Sequence, residues 1–487
     1  MIQVQLNIAD FEYDIHSLVK AFFPSENVSV SAENKNTKKE PEEPVSARMD
    51  ITFHEHTIDV CWRDGQAQEV HRQIACATTE RLSVKNDLKI GLYDMLVQIT
   101  GQELPWGSLT GIRPTKIPMQ LLEQGKNESE IASYMKNMYH ASDEKIDLAI
   151  EIAKREQALL SRLDYEEGFS LYVGIPFCPS TCLYCSFTSY PLGAWKDQVD
   201  AYLDALEREL DFAKELYGHK KLNSVYIGGG TPTTLEPEQL HRLLGMIEER
   251  FDFSNLLEYT VEAGRPDSIT RGKLEAIRKH SEVDRISVNP QTMKDETLRV
   301  IGRHHSVAQT EESFYLAREL GFSNINMDLI LGLPGESLDD VKRTMERVQS
   351  LHPDNLTVHS LALKRAARLN ICRDEYKDYK IEITPEHTRV TAAGAAAMGM
   401  APYYLYRQKN MAGNFENVGY GVPGKEGIYN ILIMEEKQTI LALGAGSITK
   451  RVYPDGRIER CENVKDVTQY MERIDEMIER KRRLLAD

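Results

Sequence analysis

Cysteine is scarce in this chain: seven residues in 487, an odd number with no framework spacing. That excludes a disulfide-stapled scaffold and fits a reducing compartment, so a cytoplasmic location is expected. No apolar run is long enough to span a bilayer, which argues against membrane insertion. The opening stretch "MIQVQLNIADFEYDIHSLVK" has early acidic groups and no basic start followed by an apolar core, so no secretory leader is expected. Cations are also in deficit, 59 Lys and Arg against 75 Asp and Glu, a formal charge of -16. That balance argues against nucleic acid as a partner, although it leaves room for a local basic pocket.

What remains is a globular composition, 41% hydrophobic and 28% charged, in a chain too long for one ordinary core. Three regions are expected. Residues 1–165 read as an amino-terminal α+β domain, interrupted by "SAENKNTKKEPEEPVS" (31–46), a polar, Pro-containing segment expected to be a disordered linker. Within it, "MDITFHEHTIDVCW" suggests strand alternation. Helices are expected from about Gln73 to Thr100, Met119 to Tyr139 and Glu144 to Leu163. From 166 to 382 near-continuous apolar runs such as "LYVGI", "SVYIGG", "LEYTVEA", "RISV", "INMDLIL" and "LTVHSL" alternate with amphipathic helical patterns. Six such repeats predict an α/β core with a parallel sheet, either a partial barrel or a doubly wound sheet. Residues 383–487 form a smaller carboxyl-terminal α+β region that could cover a substrate.

Three of the seven cysteines, Cys178, Cys182 and Cys185, fall within eight residues in "YVGIPFCPSTCLYC". Thiolates clustered in a reducing compartment serve metal or redox chemistry. The spacing lets three sulfurs from one loop hold an iron–sulfur cube whose fourth iron has no protein ligand. Zinc would need a fourth ligand, and no further Cys or His lies close by in sequence. A Cys182/Cys185 redox pair leaves Cys178 unexplained. The scattered Cys61, Cys76, Cys372 and Cys461 are expected to be buried or inert thiols. Polar residues also recur at the ends of the expected strands: Glu262 in "TVEA", Gln291 in "VNPQT", Arg303 in "IGRHHS" and Asp328 in "NMDLI". In a barrel such positions build the active site.

A C-x3-C-x-aromatic-C loop directly after the first strand of a βα repeat resembles the radical S-adenosylmethionine (SAM) superfamily. The resemblance implies a partial (β/α)6 barrel, a [4Fe-4S] cluster on Cys178, Cys182 and Cys185, and SAM on the open iron. "YVGIPFC", "GGGTPT", "RISVNPQT", "GRHHS" and "MDLILGLPGE" further resemble the oxygen-independent coproporphyrinogen III dehydrogenase group over roughly residues 168–365. Its HemZ-type branch shares "LTGIRPTK" and "YYLYRQKNMAGNFENVGY". By that resemblance Tyr172, Tyr184, Gly229, Gly230, Thr231, Glu262, Gln291, Arg303, Asp328, Ile330 and Ala362 bind SAM. No catalytic side chain is assigned beyond the groups that hold the two cofactors.

The implied reaction is oxidative decarboxylation of two coproporphyrinogen III propionates to vinyls, giving protoporphyrinogen IX. The implied partners are a tetrapyrrole and a low-potential electron donor such as flavodoxin or ferredoxin. Arg113, Lys116, Lys364, Arg365 and Arg407 are candidates to pair with propionates. Two alternatives stay open: a haem-binding chaperone on the same core, or a radical enzyme acting on haem or another tetrapyrrole. The sequence departs from the well-understood dehydrogenases at Gly174, where they carry His, and at Phe187, where they carry a fourth cysteine. It also lacks the downstream His-Asn…Tyr-Trp signature of the chaperones, having "IYNILI" in a comparable place.

Overall fold

The computed structural model describes residues 1–32, 43–65, 68–187, 189–362, 364, 367–376, 378–408 and 415–486. Most of the 31–46 linker, and Arg365, lie outside the described residues. The chain divides into two compact units, Met1–Lys154 with Tyr406–Glu416, and Arg155–Leu405 with Asn417–Asp487.

The first unit is built on a five-stranded sheet in which β1 (Ile2–Leu6) is followed by α1 (Glu12–Phe22), β2 (Val28–Ala32), β3 (Ala47–Phe53), β4 (Thr57–Asp64) and β5 (Glu69–Ala75). Strand order is β2-β1-β3-β4-β5. β1 runs parallel to both β2 and β3, and β3, β4 and β5 form an antiparallel meander. Period-two alternation turns Ile2, Val4, Ile58, Val60, Trp62 and Ile74 inward, against Ile15, Leu18, Leu92 and Leu96 of α1 and α2 (Arg81–Thr100). The helix expected from Gln73 therefore starts later. "EVHRQIA" pairs with β4 as a strand, and the helical period begins only at Arg81. Three more helices follow: α3 (Lys116–Glu123), α4 (Glu128–Tyr139) and α5 (Asp143–Leu160). The single helix expected over Met119–Tyr139 is two, because Gly125 takes φ +80 and Asn127 opens α4 with a capping box to Glu130.

Tyr406–Glu416 belongs to this unit through buried polar bonds. The Trp106 indole (2.7 Å) and the Lys145 ammonium (2.6 Å) both donate to the Glu416 carboxylate. The Arg407 guanidinium donates to the Leu109 carbonyl at 2.6 Å.

In the second unit the six expected strands are β6 (Gly168–Ile175), β9 (Lys221–Gly229), β10 (Glu258–Gly264), β11 (Arg285–Val288), β12 (Ile325–Leu331) and β13 (Asn355–Ser360). Two short strands, β7 (Phe177–Cys178) and β8 (Tyr190–Pro191), lie between the first two. The crossovers carry α6 (Val199–Tyr217), α7 (Pro237–Glu248), α8 (Arg271–Arg278), α9 (Asp295–Val300) with α10 (Val307–Glu319), and α11 (Leu338–Leu351). All six strands are parallel, and their spatial order follows the chain order without reversal. A doubly wound sheet reverses direction at a switch point. Right-handed crossovers that never reverse put every helix on one face, so the sheet curls over its other face as a partial barrel. The strands are buried on both faces, which is why they read as nearly continuous apolar runs.

Residues 383–487, a separate region by sequence, contribute strands to this same sheet. After α12 (Arg368–Ile371) and α13 (Pro385–Ala397) come β14 (Ala401–Tyr406), β15 (Asn417–Gly421), α14 (Ile428–Glu435), β16 (Thr439–Leu443), β17 (Ile448–Val452) and β18 (Ile458–Glu462). β15 pairs antiparallel with β13, and β16 runs parallel beside β6 at the opposite edge. Helices α15 (Val467–Glu472) and α16 (Ile474–Leu485) end the chain. Among the described residues the sheet stays open, running from β14 to β18.

Candidate active site

The cysteine loop leaves the carboxyl end of β6 and is closed at its base. β7 pairs with β8, setting Phe177 opposite Tyr190 and Cys178 opposite Pro191. The loop is also tied to its neighbours, by Leu183 N to the Ile301 carbonyl (2.9 Å) and Ser180 Oγ to the Gly302 carbonyl (3.2 Å). The "GGGTP" turn after β9 packs directly beneath it. Gly230 N donates to the Ile175 carbonyl and Thr231 N to the Phe177 carbonyl, both at 2.7 Å. A Cβ on Gly230 would lie 2.5 Å from the Phe177 carbonyl oxygen, and Gly229, at φ +100, abuts the Tyr172 hydroxyl. These two glycines are therefore required by the approach of turn to loop.

Two donors reach the sulfurs. Thr231 Oγ1 lies 3.5 Å from Cys178 Sγ, and Arg265 Nη1 lies 3.4 Å from Cys182 Sγ. Arg265 is itself held rigidly, its Nε and Nη2 donating to the two Asp267 oxygens at 3.0 and 2.7 Å. Burial pushes the Cys178 thiol up to about 11 and raises Cys185 as well, so thiolates here need positive charge from a bound metal. Three thiols on one closed loop, two of them met by donors, suit an iron–sulfur cluster held by thiolates. Phe187, in place of a fourth cysteine, is exposed, with the Lys364 ammonium 5.4 Å above its ring.

Arg303 links this loop to the strand ends: Nη2 donates to the Tyr184 hydroxyl at 2.9 Å and Nη1 to the Asn289 carbonyl at 3.3 Å. Gln291 follows β11 in the left-handed region, φ +68, and is pinned to β12 by two backbone bonds, to the Asp328 carbonyl and from Ile330 N. Such backbone in a non-Gly residue costs energy and persists only where its surroundings enforce it. Gln291 Oε1 and Asn289 Oδ1 are buried with no hydrogen-bond partner among the described residues. A ligand bearing hydroxyl or ammonium donors would satisfy both.

Asp328 sits in mid-β12. Burial raises its carboxyl, but the His359 imidazole and the Asn326 amide, 2.8 Å from Oδ1, outweigh it and keep the group below its ordinary range. Glu262 is the opposite case. Burial dominates its bond from the Tyr226 hydroxyl and pushes the carboxyl up to about 7. Tyr172, Tyr226 and Tyr429 stack nearby, the last two with centroids 4.4 Å apart. Ile330 is buried on β12, and Ala362 lies just past β13.

The cysteine loop and the strand-end set therefore come together. Arg113, Lys116 and Arg407 belong to the first unit, where Arg407 is buried against backbone, while Lys364 lies beside the loop. Sequence reasoning passed over Arg265, Tyr226, His359 and Tyr429. Arg265 was within reach, since it directly follows the third strand in "VEAGRP". Tyr429, from a helix two hundred residues after its stacking partner, gave no local signal.

The Radical SAM superfamily profile matches residues 172–348. The oxygen-independent coproporphyrinogen-III oxidase-like protein HemZ of Bacillus subtilis is 42% identical over 403 residues, 82% of this chain and 80% of that protein. The chain belongs to the radical SAM superfamily, in its HemZ-type group. The heme chaperone HemW of B. subtilis is 40% identical over a shorter stretch, 40% of this chain and 51% of HemW. Among solved structures, coproporphyrinogen III oxidase (HemN) from Escherichia coli matches with a TM-score of 0.52 at 24% identity, covering 66% of this chain and 73% of HemN. That likeness shows the fold, the partial barrel expected from the sequence. As a radical SAM protein the chain uses a [4Fe-4S] cluster and SAM.

Proposed function

We propose that this HemZ-type protein carries out the oxidative decarboxylation of coproporphyrinogen III propionates to vinyl groups, with Cys178, Cys182 and Cys185 holding the cluster. When bound, cluster and SAM supply a one-electron cleavage that yields a carbon radical able to remove a hydrogen atom from the substrate. The residues of this chain do the rest. Thr231 and Arg265 donate to two of the thiolates. Arg303 and the ionised Asp328 suit the carboxylate and the cationic or hydroxyl parts of SAM respectively. Glu262, held near neutrality, becomes an anion when an ammonium sits against it. Gln291 and Asn289 offer acceptors for ribose hydroxyls. The tyrosine stack excludes water from the reacting carbon. Lys364, half-buried beside the loop, is assigned to a substrate carboxylate, with a low-potential carrier such as flavodoxin or ferredoxin as electron source.

One observation carries this reading. A closed loop of three thiols is joined by Arg303 to a buried set of acceptors with unused capacity, at the carboxyl ends of parallel strands. A second reading, a haem-binding chaperone, is favoured by the 40% identity of the core to HemW. Anaerobic incubation of the reconstituted protein with SAM, reductant and coproporphyrinogen III separates them. Product lighter by two carboxyl groups, with 5′-deoxyadenosine formed, is expected. Tight haem binding with no deoxyadenosine above a substrate-free control would favour the chaperone. Haem consumption without vinyl product would point to a radical enzyme acting on haem.

A further inference from the structure

The outward face of the amino-terminal sheet carries a second group of metal-ligating side chains. In the β4–β5 pairing Cys61 stands directly opposite His71, and Glu69 is its diagonal neighbour on the same face. Their neighbours in sequence, Val60 and Trp62, point into the core, so the pleat fixes all three outward. Cys61 Sγ is 3.8 Å from His71 Nε2 and 3.7 Å from Glu69 Oε1, and those two atoms are 3.0 Å apart. Zinc held tetrahedrally at ~2.3 Å from sulfur and ~2.0–2.1 Å from nitrogen and oxygen sets neighbouring ligand atoms roughly 3.4–3.6 Å apart. All three separations lie within a few tenths of an ångström of that triangle, so no backbone movement is needed to close it.

We propose that Cys61, Glu69 and His71 form a Zn2+ site with water in the fourth position. A thiolate, an imidazole and a carboxylate together are the borderline-soft set that suits zinc, and they disfavour magnesium or calcium, which take oxygen. Binding releases the Cys61 proton to solvent, and thiolate and carboxylate then balance the ion's charge. Arg63 is the competitor. Its Nε donates to the same Glu69 oxygen at 2.9 Å, and its Nη1 holds Asp50 at 2.9 Å. The ion requires Glu69 to turn its other oxygen to Arg63, or Arg63 to keep only Asp50. Once bound, the metal fastens β5, an edge strand, to β4.

The test uses the full chain carrying Cys178→Ala, Cys182→Ala and Cys185→Ala, which removes the other cysteine cluster. Titration with Co2+ is expected to give one equivalent with tetrahedral visible bands and a sulfur-to-cobalt charge-transfer band, displaced by Zn2+. Cys61→Ser abolishes the charge-transfer band, and His71→Ala weakens Zn2+ by more than the ~10–100-fold typical of losing an outer partner. Arg63→Ala tightens binding. If that background fails to fold, the zinc content of the cluster-loaded chain is compared with its Cys61→Ser form, which should hold about one ion fewer per chain. Octahedral cobalt without charge transfer, or zinc binding indifferent to Cys61→Ser, overturns the proposal.

Discussion

The second unit contains two buried polar clusters of similar size that differ in one respect. Around Glu209, every group has a partner. Its carboxylate accepts from Gly444 N (2.7 Å), the Tyr470 hydroxyl (2.7 Å), Asn463 Nδ2 (2.8 Å) and the Lys481 ammonium, and both charged side chains are fully buried. At the strand ends, Gln291 Oε1, Asn289 Oδ1 and Arg303 Nε are buried with none among the described residues. A satisfied network is architecture. It fixes the turn after β16 so closely that a Cβ on Gly444 would lie 2.4 Å from the Gly174 carbonyl. An unsatisfied one keeps capacity for a ligand at a cost to the folded state. Gly174 belongs to the first kind, with the Leu443 carbonyl 3.3 Å from where its Cβ would be. A side chain there would need that carbonyl to give by a few tenths of an ångström.

The largest effect separating the two should come from the loop beside the open cluster. Cys182→Ala is expected to abolish the brown chromophore and SAM cleavage, with thermal stability of the cluster-free protein little changed. Iron analysis checks the first part, and full iron retention would remove the cysteine assignment. Next in size is Lys481→Met, which leaves Glu209 charged and buried without its cation. Breaking such a pair costs about 3–5 kcal/mol, so denaturant melts should shift strongly while SAM affinity of the folded fraction stays the same. A weakened SAM affinity would mean that the satisfied network is not merely architectural.

The local parts of this arrangement were legible in the sequence, and the long-range parts were not. Strand and helix periods, the cysteine spacing and polar residues interrupting apolar runs are properties of short windows, so Glu262, Gln291, Arg303 and Asp328 stood out. The choice between a partial barrel and a doubly wound sheet turns on the unreversed strand order, which no window contains. The same holds for β16 beside β6 and for Lys481 with Glu209, pairings that join residues more than two hundred positions apart. Glu416, directly before β15 in the chain, belongs with Trp106 and Lys145 of the first unit. Cys61 reads as an inert thiol until the register sets His71 opposite it.

Glu262 offers a smaller and pH-dependent contrast. Its carboxyl is raised on folding from 4.5 to about 7, so between those values the native state binds more protons than the unfolded one. Stability from this group is complete below pH 4.5 and is lost as pH rises through 7, by about 3 kcal/mol in the absence of SAM. Melts from pH 5 to 8 should show the decline, and Glu262→Gln should flatten it. An unchanged slope in that variant would mean the carboxyl is not the titrating group.

The smallest effect is the most discriminating, because it has opposite signs in two measurements. Gln291 holds φ +68 and a buried oxygen without a donor, two costs that a purely structural residue would not keep. Gln291→Gly removes both. Relief of left-handed strain, ~1–2 kcal/mol, exceeds the ~0.5–1 kcal/mol lost to a more flexible unfolded chain. The variant should therefore melt at slightly higher denaturant and bind SAM more weakly. A site kept for its ligand predicts that combination. A variant that is destabilised and binds SAM normally would instead place Gln291 with Glu209 among the architectural residues, and the contrast between the clusters would fail at its most strained member.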